Sequence, residues 1–491
     1  MSAIGKGQTR SAELRKTLTH PVIDCDGHLR EFLPTVEDYI VKHGGRDMAT
    51  KYTAGLRETL RNSKFTPRNE RHYNQAQQQA FWGVTTGDVL DYATQLTPKL
   101  LDARLVDFGV DYCILYPTLG LIANQIKEDE VRRVVMRALN DMHADLYNGE
   151  FGYRIHVPAV IGMNTPEEAI EGIKYAVGER GFKVIQVPPG VLRPIQYLVD
   201  KYGIKEEAPD GVWVDRYGMD SEYDYDAVWQ CAVDHKVAIT SHGALMPNFP
   251  KLNRSISNYT FNHVRNQPSM MEQLCKTIYM GGVTRRFPTL NFGFMEGGIA
   301  YACNLLSDIV GHWEKRNGKA LEHVNPANLD KKLAQELLIE WGGDRFKGEL
   351  DEVIAGVFHM HGDVPPVLDD FTAMGIEKKP DLGDLFSRFY FGCEADDRMT
   401  AHAFNTKANR FGMKLKPLLS SDIGHFDVVH MDEVVEEAFE NVEHGIVSLE
   451  DFELQAAVNP IMLHGGMNKD FFKGTAVEDY AEKVLKQAAQ K

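Results

Sequence analysis

Eight short apolar runs recur along the chain, most of them followed by a longer stretch with helical spacing, and this pattern leaves few folds open. The runs are Val22–Asp26, Asp111–Tyr116, Ile155–Ile161, Phe182–Val187, Val237–Ser241, Leu290–Met295, Arg388–Gly392 and Pro417–Ser421. Between them, Glu128–Tyr147, Pro166–Val177, Tyr225–His235, Met270–Phe287 and Ile299–Arg316 read as helices. Strands that are apolar along their whole length have both faces covered, as parallel strands under crossover helices do. Eight β-then-α units predict an α/β chain built as a (β/α)8 TIM barrel.

A plain barrel takes about 250 residues, and this chain has 491. The excess falls in three places, read as large insertions in the strand-to-helix loops. Arg46–Asp91 carries the polar stretch RNERHYNQAQQQ, Val191–Tyr223 is rich in Gly, Asp and Tyr, and Lys319–Ser387 is highly charged with a helical signal around Leu329–Trp341. Such insertions are expected to build a lid or an oligomer interface. With no internal repeat or low-complexity linker, residues 1–491 read as one elaborated domain. A 43% hydrophobic content supports a large core, and the net charge of −16 argues against nucleic acid or an anionic membrane surface as the main partner. A small-molecule substrate is expected instead. Apolar runs such as Tyr112–Pro117 are far too short to span a bilayer. The segment MSAIGKGQTRSAELRKTLTH has no apolar h-region, so it does not read as a signal peptide. Six dispersed cysteines without a CxxC pair suit a reducing cytoplasm rather than a disulfide scaffold or a zinc ribbon.

Chemistry in such a barrel sits at the C-terminal ends of the strands. The first run ends in Asp26-Gly27-His28, with Glu31 close behind. The fifth ends at His242, the sixth at Glu296, and the eighth at Asp422 with His425 three residues on. Imidazole nitrogens and carboxylate oxygens converging on one mouth are what a borderline divalent metal requires. One D-x-H is weak; the same residue classes recurring at four strand ends are a much stronger signal.

In this order VIDCDGHLRE, SHGAL, GGVTRRFPTLNFGFMEGG and SSDIGHFD resemble the amidohydrolase superfamily, in the branch around aminocarboxymuconate-semialdehyde decarboxylase (amidohydrolase family 2). Asn140-Asp141, Asn262-His263 and Asn459-Pro460 add to the resemblance, which runs from about Val22 to about Gly465. It implies a metal-dependent barrel, commonly a homodimer, with Asp26, His28, His242 and Asp422 as metal ligands. The first strand offers D-x-H rather than H-x-H, and Glu296 stands where many members place a His. Gln186–Gly190 (QVPPG) holds no lysine for a carbamylated bridge. The extra carboxylate favours Zn, Mn or Fe. Counting Glu31, Glu296 and His425 gives more donors than one ion uses. Some therefore serve as acid, base or outer-sphere groups, or two ions are present with Glu31 and Glu296 among their ligands.

Structural readings compete. Asp26 also suits a turn, His28 the surface, His242 the core, Asp422 an N-cap, Glu296 the cap of the helix after Gly297-Gly298, and Glu31 the opening of the helix near Pro34. His359-Met360-His361 lies inside the third insertion and reads as lid or loop. Arg68 and Arg71 could clamp a substrate carboxylate or form a solvated face. Tyr73, Phe81 and Trp82 could wall a pocket for a ring compound or form lid core.

The set implies a metal-dependent hydrolase or C–C bond lyase, decarboxylase-like, acting on a small organic acid or ring compound. Chemistry would proceed through metal-activated water or metal-bound substrate. Asp422 is the expected general base and His425 or Glu296 the acid. Two alternatives stand beside it: a non-haem di-iron oxygenase on the same fold, and a non-catalytic barrel used as a binding protein.

Overall fold

In a computed structural model the described residues are 4–490 apart from 65, 81–85, 205–210, 244–254, 324, 326, 327, 351 and 354–369. They divide into two compact units, Met1–Leu305 with Leu385–Lys491, and Leu306–Asp384. The third expected insertion lies almost wholly in the second unit. That unit contains the helix Lys331–Gly342, opened by Asp330 accepting from the Leu333 N–H, and an ion pair between Lys379 and Glu314.

The larger unit is a mixed α/β structure around parallel strands. In chain order these are β1 Ile23–Leu29, β2 Tyr112–Pro117, β3 Ile155–His156, β4 Ala159–Val160, β5 Ile185–Val187, β6 Val191–Pro194, β7 Val212–Asp215, β8 Ile239–Ser241, β9 Phe292–Phe294, β10 Phe389–Glu394 and β11 Pro417–Ser420. One sheet runs β1-β2-β3 and another β11-β10-β9-β8-β5-β4, with every neighbouring pair parallel. β3 and β4 lie on one short run of chain, pairing to β2 and β5 respectively. At the other edge Asp422 N–H donates to the Asp26 carbonyl (2.8 Å) and His28 N–H to that of Ile423 (2.6 Å). Each of the eight expected runs contains strand residues.

Two apolar layers sandwich the strands. Ile23, Cys25, Ile114, Tyr116, Val184, Ala238, Met295, Tyr390 and Leu418 pack with one another and with Ile461, Leu463 and Phe471 of the C-terminal region. Leu29, Cys113, Leu115, Ile155 and Leu419 pack against helical residues such as Leu101, Leu105, Phe108, Val435 and Phe452. Sequence order thus becomes a two-sided core of the kind that lets parallel strands be apolar throughout.

Two of the expected insertions carry regular structure of their own. The helix Leu33–Lys64 continues through much of the first one, past a kink at Gly45 whose φ of +81° suits glycine. The second holds an antiparallel hairpin, β6 with β7. It is anchored by Arg193, whose guanidinium pairs with buried Asp215 (2.5 Å) and donates to the Tyr225 hydroxyl (2.9 Å) and the Asn164 carbonyl (3.1 Å).

Candidate metal centre

Four strand ends deliver their side chains to one place. Asp26 and His28 lie in β1, His242 follows β8, Glu296 follows β9, and Asp422 follows β11. His28 Nε2 is 3.0 Å from Asp422 Oδ1 and 3.7 Å from Asp26 Oδ1. His242 Nε2 is 3.1 Å from His28 Nε2, 3.5 Å from Asp26 Oδ1 and 3.2 Å from Glu296 Oε2. Three overlapping triplets result: Asp26, His28 and His242; His28, Asp422 and His425; His242, Glu296 and Asp422. All six residues are buried.

The spacing is compatible with a metal site. Donors about 2.0–2.2 Å from a four-coordinate ion lie roughly 3.3–3.6 Å apart, and the separations here run from 3.0 to 3.7 Å. Both Asp26 oxygens, Asp422 Oδ1 and Glu296 Oε2 are buried and accept no hydrogen bond of good geometry. Unsatisfied buried oxygens are costly, so four together mark a place built for a cation. His242 Nδ1 faces the Gly243 carbonyl at 2.7 Å; as a donor there it leaves the Nε2 lone pair directed at the cluster. These residues fit a divalent ion.

The electrostatics agree. Burial, then Asp422, pushes the Asp26 carboxyl well above the usual range, and burial followed by Asp422 and Asp26 does the same to Glu296. Burial and the neighbouring His425 bring His28 down to about 4, and burial with His28 lowers His242 well below its ordinary value. Burial also works against the Asp422 charge, but the pull of His425 and His28 outweighs it and holds that carboxyl below the carboxylate range. A cation would favour the ionised carboxylates and neutral imidazoles together.

Asp422 also pairs with His425 (Nδ1–Oδ2 2.6 Å), whose ring stacks on His28 at 3.7 Å between centroids. Glu296 and Asp422 both have left-handed backbones, φ +53° and +56°. That conformation is unfavourable for Glu and better tolerated by Asp, and strain of this kind concentrates at functional sites.

Glu31 belongs to none of the triplets. Its carboxylate accepts from the Leu119 and Gly120 N–H groups at 2.9–3.1 Å, at the start of the helix Thr118–Ala123, and lies 3.8 Å from His143 Nε2. Burial pushes it up to about 7. Arg71 donates to the backbone carbonyls of Ile256 and Thr66, and Arg68 is exposed. Tyr73 is exposed, while Phe81, Trp82, His359 and His361 lie outside the described residues. The Asn residues of the short motifs tie backbone together. Asn140 exchanges two hydrogen bonds with Val160, Asn262 holds the Gln78 and Ser255 carbonyls, and Asn459 donates to that of Pro417. Sequence reasoning missed Glu394, the exposed last residue of β10, whose carboxyl lies within electrostatic reach of Asp422. The end of the Arg388–Gly392 run, two residues before it, was the available signal.

No family model matches this sequence, and no curated protein does. Among solved structures, an amidohydrolase from Mycobacterium avium subsp. paratuberculosis K-10 aligns over 91% of this chain and 99% of its own at 14% identity, with a TM-score of 0.52. A 2,6-dihydroxybenzoate decarboxylase complexed with 2,6-dihydroxybenzoate aligns over 91% and 99% at 13% identity (TM-score 0.48). A dihydroxybenzoic acid decarboxylase from Polaromonas sp. JS666, with bound manganese and 2-nitroresorcinol, aligns over 91% and 97% at 15% identity (TM-score 0.48). The first of these likenesses gives the chain the fold of an amidohydrolase.

Proposed function

We propose that the chain is a metal-dependent hydrolase or C–C bond lyase on a closed (β/α)8 barrel. Closure is supported by the Asp26–Asp422 and His28–Ile423 backbone bonds at one edge and the shared β3–β4 run at the other. One observation carries the functional reading: three overlapping donor triplets, Asp26 with His28 and His242, His28 with Asp422 and His425, and His242 with Glu296 and Asp422, are buried at the strand ends with carboxylate oxygens left unsatisfied.

A divalent ion held by these residues would supply Lewis acidity. In this reading Asp422, paired with His28 through Oδ1 and with His425 through Oδ2, is the general base. In this reading Glu296, whose Oε2 lies 3.2 Å from His242 Nε2, returns a proton to a leaving group or a nascent carbanion. The substrate class is a small organic acid or ring compound.

The test is turnover by the Mn²⁺-loaded chain on two panels: aromatic carboxylic acids, followed by CO₂ release, and esters and amides, followed by acid release. Metal-dependent turnover on either panel, reduced at least about 100-fold in both Asp422→Asn and His242→Ala, supports the reading. Full activity in both variants contradicts it.

The surplus of carboxylates favours a second reading, a di-iron oxygenase, because Glu296 joins a donor set already sufficient for one ion. Two irons per chain with O₂-dependent turnover would select it.

A further inference from the structure

β1 gains one residue on β2 between Asp24 and Gly27: Asp24 pairs with Cys113, while Gly27 pairs with Leu115. A regular strand would put residues 24, 26 and 28 on one face. The bulge breaks that parity. Asp26 and His28 reach the donor cluster, while the Asp24 carboxylate lies beside Cys113 and beneath Gly27, where a Cβ would stand 3.2 Å from Asp24 Oδ2 and closer still to Ile423 and Leu115. Bulges leave backbone groups unpaired and re-aim side chains.

The fully buried Asp24 carboxylate supplies what the bulge removes. Oδ1 accepts from the Asp26 N–H (3.2 Å) and the Ser421 N–H (2.9 Å); Oδ2 accepts from Ser421 Oγ (2.5 Å) and Cys113 Sγ (3.3 Å). Four donors use the acceptor capacity of a carboxylate. Asp26, two residues on, has neither oxygen so engaged. Two aspartates on one strand thus divide the work: one is spent on backbone, the other is left for the cup.

We propose that Asp24 is a positioning residue, which holds the first-strand bulge and clamps it to Ser421, so that Asp26, His28 and Asp422 arrive at a common metal. The inference rests on the metal reading above.

The test is titration of the metal-stripped full chain with Co²⁺, reading affinity and the visible absorption spectrum together. Outer-sphere partners of metal ligands typically contribute 10–100-fold in affinity. Asp24→Ala is therefore expected to weaken Co²⁺ binding at least about tenfold and to alter the spectrum. Asp24→Asn, which keeps an acceptor for the two N–H groups, is expected to recover part of both. Wild-type affinity and an unchanged spectrum in Asp24→Ala would overturn the positioning role and leave the metal reading intact. Failure of the wild type to bind Co²⁺ would overturn both. Should Asp24→Ala not fold, Ser421→Ala decides alone: an altered spectrum and weaker binding support the clamp, and wild-type behaviour in both overturns it.

Discussion

Asp26→Asn should stabilise the metal-stripped protein and lose that advantage when the metal is bound. In the metal-stripped protein Asp26 is buried against Asp422, Asp24 and Glu394, all of which raise its pKa. A carboxyl of ordinary pKa 3.8 kept protonated at pH 7 gives up about 4 kcal/mol at 1.36 kcal/mol per unit. The amide avoids that cost. Unfolding entropy of about 2.1 cal/mol/K per residue over a chain this long makes 1 kcal/mol worth roughly 1 °C. Metal-stripped Asp26→Asn is therefore expected to melt up to about 4 °C above the metal-stripped wild type. With Mn²⁺ a thousandfold above Kd that advantage should close: the wild type gains about 4 kcal/mol, and the variant gains far less. Scanning calorimetry of four samples, each protein with EDTA or with Mn²⁺, reads both differences. Equal destabilisation of the variant under both conditions would refute the reasoning, because it would mean that the carboxylate packs as an ordinary satisfied group.

Three further outcomes follow from buried groups elsewhere. His143, His156 and His464 are each lowered to about 3, chiefly by burial. Their uncharged folded forms are favoured above pH 6.5 and become a burden as pH falls below it. Each then costs about 2 kcal/mol at pH 5, so His143→Gln should shift the change in stability between pH 7 and pH 5 by about 2 kcal/mol in favour of pH 5; an unshifted difference would contradict its burial. Glu31 has the opposite sign, since its folded pKa of about 7 lies above the unfolded value near 4.5 and the associated stability is lost as pH rises through 7. Glu31→Gln should stabilise the protein by up to about 3 kcal/mol at pH 8 and by little below pH 5, as read by urea unfolding at the two pH values. Arg193→Ala leaves the Asp215 carboxylate buried without its cation and should cost about 3 kcal/mol or more; a loss under 1 kcal/mol in the same unfolding assay would remove the hairpin's anchor.

The strand pattern was legible because both-face burial writes itself as continuous apolar runs. Phe182–Val187 nevertheless yields only Ile185–Val187 as strand, since apolar residues continue past the last ladder bond. Asp26, His28, His242, Glu296 and Asp422 were legible from their places at strand ends. Their geometry was not, because the parity of D-x-H on β1 depends on a bulge that no residue type announces. Asp24 read as ordinary strand for the same reason. The β6–β7 hairpin was hidden behind Pro188-Pro189-Gly190, with Val191–Pro194 too short for a period to show. Glu31 reads as a ligand of a two-ion site or as the opening of the helix near Pro34, whereas its oxygens are taken by the N–H groups of a helix 88 residues away in sequence.

The most direct test of the central claim is the metal content of the purified chain after reloading with Mn²⁺, Zn²⁺ or Fe²⁺, measured by elemental analysis beside His242→Ala and Asp422→Asn. The account predicts at least one tightly held divalent ion per wild-type chain and a large loss of that ion in both variants. A wild-type chain that retains no ion, or variants that retain as much as the wild type, would contradict it.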